Sequence, residues 1–291
     1  MKNFKYLFLL LCTIFVFEMV SFNKAEAACT VTADGIKKAS TSADDSIEEG
    51  CDTEPGLYEI VIYKLYLCTS APTVPTTSST VVLTPCSQIF NNDSGATASV
   101  ISGKDIDIDG TFTRPPDGTY THGYAYMDNT FGITWSGEIE ASMTGMTGGT
   151  GVFCATVAGE GTHKKAAQSH TNSSICSATN NLTAGKFIET MQQFGGNTDD
   201  FAATAEVENI NGTTASISGY LIDANEHLAS DTDEVVKLEG LVTFASPVIV
   251  APDTTSVSMR FNVGEGMHLN DGGSNKLQIG SGPFQAIMTA N

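Results

Sequence analysis

LYEIVIYKLYLC, residues 57–68, is apolar at odd and even positions alike. Its Tyr, Ile, Val and Leu side chains favour a pleated backbone, and a run apolar on both faces reads as a strand with neighbours above and below. We therefore expect a buried central strand here. Working outward, runs of the same kind recur: STVVLTPC, KDIDIDGTFTR, GTYTHGYAYM, FGITWSGEIE, VFCATVAG, AEVENI, TASISGYLI, EVVKLEGLVTFASPVIV, SVSMRFNV, KLQIG and PFQAIMTA. Gly, Asn, Asp and Pro separate them, a spacing that predicts a β-sandwich or barrel. Helical periodicity is weak and confined to KFIETMQQF at 186–194 and a short stretch near 42–49. The expected fold class is all-β, an antiparallel β-sandwich of jelly-roll or immunoglobulin-like type. It spans 56–291 as one domain or as two packed β-domains divided near 180–200. TSAPTVPTTSST, ASMTGMTGGTG (141–151) and EGTHKKAAQSHTNSS (160–174) read as loops.

GTYTHGYAYMDNTFGITWSG, 118–137, concentrates aromatic mass and holds the single tryptophan. Read as a hairpin turning at Met127 to Thr130, it places Tyr120, His122, Tyr124 and Tyr126 on one face and small residues on the other. Phe131, Ile133 and Trp135 share a face of the return strand. Two uses compete. The aromatic face is a core wall packed on the second sheet, or Tyr124, Tyr126 and Trp135 are a sugar-stacking platform. Exposing these rings leaves few large side chains to build a core, which favours the wall.

The chain opens with Lys2 and Lys5, then twelve uncharged residues from Tyr6 to Phe17, then Ala25-Glu26-Ala27. This is the layout of a secretory signal, residues 1–27; a membrane anchor needs about 20 apolar residues. Residues 28–55 form a polar N-terminal extension. The net charge of −19 argues against nucleic acid, whose phosphates need clustered Lys and Arg, and against an anionic membrane surface. After the signal, six cysteines remain: Cys29, Cys51, Cys68, Cys86, Cys154 and Cys176. An even number suits an oxidising compartment. Fifteen pairings are open, and the spacing favours neighbours joining around long loops.

Two acidic stretches have calcium-loop spacing. Asp105, Asp107, Asp109 and Gly110 match the first half of the pattern, but Pro116 stands where the bidentate acid belongs; alternating Ile and Asp make an ordinary strand. In DANEHLASDTDE, Asp223, Asn225, Asp231 and Glu234 occupy ligand positions, with His227 between them. Leu228 replaces the glycine of the sharp turn, so a solvated acidic loop competes with a calcium site. Calcium is the one candidate cofactor. No nucleophile elbow, zinc-protease helix, P-loop or dinucleotide fingerprint occurs, so no catalytic residue is named. His163 and His170 lie in a Lys- and Ser-rich segment, and Asn92, Asn172, Asn181 and Asn211 are glycosylation sequons.

LYEIVIYKLYLCTSAP and DGTFTRPPDGTYTH resemble a group of uncharacterised exported β-rich proteins of marine bacteria, over residues 55–135. The resemblance implies export and a β-rich fold and carries no activity. The expected function is therefore that of a secreted or cell-surface interaction protein, a surface-layer, appendage or adhesin subunit acting on other protein subunits through exposed sheet edges. The alternatives are a glycan-binding module, calcium-assisted or not, and a secreted hydrolase built from dispersed carboxylates.

Overall fold

The structure, a computed structural model, describes residues 28–33, 35–38, 50–101, 108–163, 173–194, 200–208 and 214–290. The leader, the 42–49 stretch, Asp105, Asp107, His170, Asn172 and Asn211 lie outside them. The strands run β1 (Cys29–Thr32), β2 (Gly35–Lys38), β3 (Cys51–Thr53), β4 (Leu57–Cys68), β5 (Cys86–Val100), β6 (Thr111–Phe112) and β7 (Gly118–Thr134). There follow β8 (Ser136–Gly145), β9 (Thr150–Thr156), β10 (Gly159–His163), β11 (Ser174–Ser177), β12 (Phe187–Met191) and β13 (Ala202–Glu208). The last are β14 (Thr214–Ile222), β15 (Lys237–Val250), β16 (Val257–Asn262), β17 (Met267–Asp271), β18 (Lys276–Ser281) and β19 (Gln285–Ala290). One 3-10 turn, Thr232–Glu234, is the single helical element among the described residues.

The protein is all-β, with two large sheets packed on each other and mainly antiparallel pairing. A nine-stranded sheet runs β13-β14-β15-β7-β4-β5-β6, and β12 joins β7 while pairing with β10. An eight-stranded sheet runs β1-β2-β8-β18-β17-β3, with β9 and β11 attached to β8. A ribbon of β16 and β19 stands beside them. Residues 57–68 are the interior strand expected, between β5 and β7. Pairing slips near Tyr63, and the inward set changes from Tyr58, Ile60 and Ile62 to Leu65 and Leu67. That bulge re-aims the strand. Lys64 and Tyr66 are thereby left for the other face.

The expected hairpin at 127–130 does not form. Residues 118–134 are one continuous strand, paired with β4 on one side and with β15 and then β12 on the other. Asp128 and Asn129 look like turn residues, but their side chains find partners within the strand and on β12. Asp128 accepts from the Thr130 amide and hydroxyl, and Asn129 donates to the Met191 carbonyl. The real break is Trp135, where the chain leaves the nine-stranded sheet at Thr134 and enters the eight-stranded one at Ser136. A corner in which one chain serves both sheets is a familiar device of orthogonal sandwiches. The Trp135 amide donates to the Thr156 hydroxyl, and its carbonyl accepts from the Thr156 amide.

Other boundaries also moved. KFIETMQQF is strand β12, held by β7 and β10. The polar 86–100 is a fifteen-residue strand, because β4 supplies its hydrogen bonds. STVVLTPC is mostly loop. The turn between β8 and β9 shrinks to 146–149, where Gly149 has φ +71° and a Cβ would meet the Cys176 carbonyl oxygen at 2.0 Å. Gly149→Ala should therefore destabilise by about 3 kcal/mol, a strained left-handed residue plus a backbone collision; a urea midpoint unchanged from wild type would contradict this. The disulfides join neighbours: Cys29–Cys51, Cys68–Cys86 and Cys154–Cys176. Two of them link directly opposed residues of paired strands.

Candidate functional site: a cavity between the sheets

Directly opposed residues of antiparallel strands share a face of the sheet. Following the register across β4, β7, β15, β14 and β13 gives the row Leu65, Ala125, Gly240, Gly219, Ala203. One step along, on the same face, comes Leu67, Gly123, Val242, Ile217, Ala205. This floor of small residues faces the eight-stranded sheet and the β16–β19 ribbon. Above it lies a cavity of about 640 Å³.

Phe131, Phe244, Phe261, Phe284, Met259 and Met288 supply much of its apolar wall. The glycines make room for rings. A Cβ on Gly123 would stand 2.9 Å from the Phe244 ring, and one on Gly219 would stand 2.7 Å from Phe194. Protein interiors are normally filled to crystal density, with few voids larger than a water. This space falls within the range of ligand pockets, roughly 300–1,000 Å³.

The eight-stranded sheet turns polar side chains to this space: Asp52 of β3, His268 and Asn270 of β17 and Gln278 of β18 line it, with Glu189 of β12. Asp52 Oδ1 is hydrogen-bonded with His268 Nδ1 at 2.8 Å. Burial raises the Asp52 carboxyl above its ordinary range, and His268 opposes the rise. Glu189 on β12 is buried and bridges the sheets by accepting from the amide and hydroxyl of Ser281 on β18. Tyr58 is 0% exposed, its ring packed against Phe131 and Phe284 at centroid distances of 5.7 and 5.5 Å. Its hydroxyl has no hydrogen-bond partner among the described residues. Burial first, and then the nearby Glu189 charge, keep that hydroxyl firmly protonated.

The opposite face of the same sheet carries the tyrosines. Its rows read Tyr66, Tyr124, Leu241, and Lys64, Tyr126, Glu239, Tyr220. This corrects the expected orientation: the small-residue face points at the second sheet, and the tyrosine face is covered from outside by the 69–85 loop. Val81 and Leu83 of that loop and the Cys68–Cys86 bridge pack on Tyr124 and Tyr126. Tyr120, beyond the β15 irregularity, joins the main core and donates to the Pro116 carbonyl. Tyr124 and Tyr126 are 2% and 6% exposed, and Trp135 is 6% exposed in the main core at the corner. The three residues are thus neither exposed nor gathered on one surface.

Beneath the loop sits Glu239, fully buried, taking a 2.5 Å hydrogen bond from the Tyr124 hydroxyl. Burial, partly offset by that bond, pushes the carboxyl up to about 7, and Glu226 adds to the rise.

The 223–234 loop uses its acids on itself. Asp223 accepts from the amides of Asn225 and His227, Asp231 from the amide of Asp233, and Glu234 from the Ser230 hydroxyl. Among the described residues, no three His, Cys, Asp or Glu side chains are grouped as a metal requires. Asp109 stands alone of its trio within those residues, its carbonyl accepting from Asn92.

Sequence reasoning missed the cavity floor, although a signal was present. Gly123, Gly219 and Gly240 interrupt otherwise good strands, and a strand glycine often marks the close approach of a ligand or another chain segment. No helix among the described residues is long and apolar enough to cross a membrane. No protein-family model, curated protein or solved structure matches the chain.

Proposed function

We propose that the protein is an exported β-sandwich that holds an apolar small molecule in the cavity between its sheets. The observation that carries this reading is the 640 Å³ space floored by Ala125, Gly240 and Gly219 and walled by phenylalanine and methionine. Filling such a space with side chains stabilises a fold, so leaving it open sacrifices dispersion and burial energy for occupancy by something else. Methionine walls adapt to irregular ligands. Three disulfides and the leader pattern support an extracellular or cell-surface location. The cavity is a more specific feature than the sheet edges on which an assembly role rests.

A titration with N-phenyl-1-naphthylamine, a neutral dye that brightens in apolar surroundings, tests the reading. Wild type should show saturable enhancement. Ala125→Leu places three more carbons on the floor and should weaken the dye by about tenfold or more at unchanged circular dichroism; Ala203→Leu, at the end of the same row, should act alike. No saturable enhancement in wild type, or affinity indifferent to both variants, would overturn the proposal.

A further inference from the structure

The inner faces of a sandwich are normally apolar, because they meet to form its core. Strands β17 and β18 depart from that rule. Met267, Leu269, Leu277 and Ile279 are 0% exposed in the main core, and strand alternation puts them on the far side of their sheet. The side turned to the cavity carries His268, Asn270 and Gln278 instead, all half-buried. The register orders them. Asp52, His268 and Gly280 are opposed in one row, and Asn270 and Gln278 in the next. Three strands and two rows make a polar field roughly 10 Å across the strands and about 7 Å along them, from a strand spacing of about 4.8 Å and a rise of about 3.4 Å per residue.

The floor across the cavity is as broad and has the opposite character. Its two rows, from Leu65 to Ala203 and from Leu67 to Ala205, are apolar throughout. A molecule that satisfies both walls needs an apolar face and an oxygen-bearing face. Charge is restricted as well. No lysine or arginine is among the described lining residues, and the one imidazole there is paired with Asp52. An anion would lose hydration without meeting a free cation. The two carboxylates are 2% and 1% exposed, Asp52 held by His268 and Glu189 by the Ser281 amide and hydroxyl, so they present little to an organic cation. The amides of Asn270 and Gln278 are neutral and bring both donors and acceptors, as hydroxyl groups require.

We infer that the occupant is an uncharged fused-ring molecule, a hydroxylated terpenoid or steroid, lying flat between the sheets with its apolar face on the glycine floor and two or more hydroxyls on Asn270 and Gln278. This rests on the cavity reading. Two broad walls of opposite polarity match a rigid plate, which also loses less conformational freedom on binding than a flexible chain does.

The test is displacement of bound N-phenyl-1-naphthylamine by two uncharged esters of one skeleton. Methyl cholate carries three hydroxyls on one face of its rings, and methyl lithocholate carries a single hydroxyl at one end. Hydrophobicity alone ranks methyl lithocholate first. Wild type should reverse that order, with methyl cholate effective at a concentration lower by about threefold or more, the net worth of a hydrogen bond. Asn270→Leu and Gln278→Leu should each move the ratio of the two affinities toward methyl lithocholate by roughly 2- to 10-fold. A general loosening of the cavity would weaken both esters together and leave that ratio in place. Circular dichroism and dye uptake check that each variant folds. Free cholate, ionised at about pH 7, should displace the dye less effectively than its ester. Methyl lithocholate equal to or better than methyl cholate on wild type, a ratio unmoved in both variants, or cholate matching its ester would overturn the inference while the cavity reading stands. Absence of dye binding would overturn the cavity reading itself, and the inference with it.

Discussion

Replacing Trp135 by alanine is expected to lower the unfolding free energy by about 3–5 kcal/mol, the range for truncating a buried tryptophan. The ring is 6% exposed at the corner where the chain passes between the two sheets. It lies so close to Gly137 that a Cβ there would be 2.5 Å from the indole. Its backbone is clamped from both sides by Thr156, so the surroundings have little freedom to collapse into the space left behind. Urea unfolding followed by far-ultraviolet circular dichroism measures the effect, since the variant has no tryptophan left to report. A loss below about 1 kcal/mol would mean that the ring fills no essential space.

A second large effect concerns pH. Glu239 carries its carboxyl at about 7 in the folded protein against an ordinary value of 4.5. The folded state therefore keeps a proton that the unfolded chain releases, and stability falls as pH rises between these two values. The accumulated loss is about 3 kcal/mol, from about 1.4 kcal/mol per unit. Below about 4.5 both states are protonated and the term vanishes; above about 7 both are ionised and the full penalty persists. Glu239→Gln keeps an acceptor for the Tyr124 hydroxyl and removes the titration. Its advantage over wild type should grow by about 3 kcal/mol between pH 4.5 and 7.5, read from urea midpoints across that interval. Parallel curves for the two proteins would show that the carboxyl does not titrate there.

The sequence patterns that survived folding are those set by local chemistry. The run apolar on both faces at 57–68 and the even spacing of 124 and 126 describe strands, and both strands exist, although Tyr120 joins the main core instead of the tyrosine cluster. Which face turns inward was not legible. It depends on the 69–85 loop, whose Pro and Thr content reads as surface but whose Val81 and Leu83 roof the tyrosines. The hairpin reading of Met127 to Thr130 failed because Asp128 and Asn129 sit in an irregularity of the β4–β7 pairing, with Asn129 tied to Met191 of β12, and the strand continues past them. The strand character of 86–100 was hidden because its residues are polar and gain their pairing from β4, a non-local partner. Neighbour disulfides were legible because a bridge between opposed residues needs only the intervening chain to return. The cavity was not. It emerges from a row of small residues drawn from five strands far apart in sequence, and only the register brings Ala125, Gly240 and Gly219 together.

The most direct measurement of the central claim is amide chemical-shift mapping on isotope-labelled protein as N-phenyl-1-naphthylamine is added. The amides of Gly123, Ala125, Gly219 and Gly240 should shift together and saturate, while those of Thr76 to Leu83 on the outer face stay in place. Saturable shifts confined to the outer loop, or none at the glycine floor, would contradict an internal binding site.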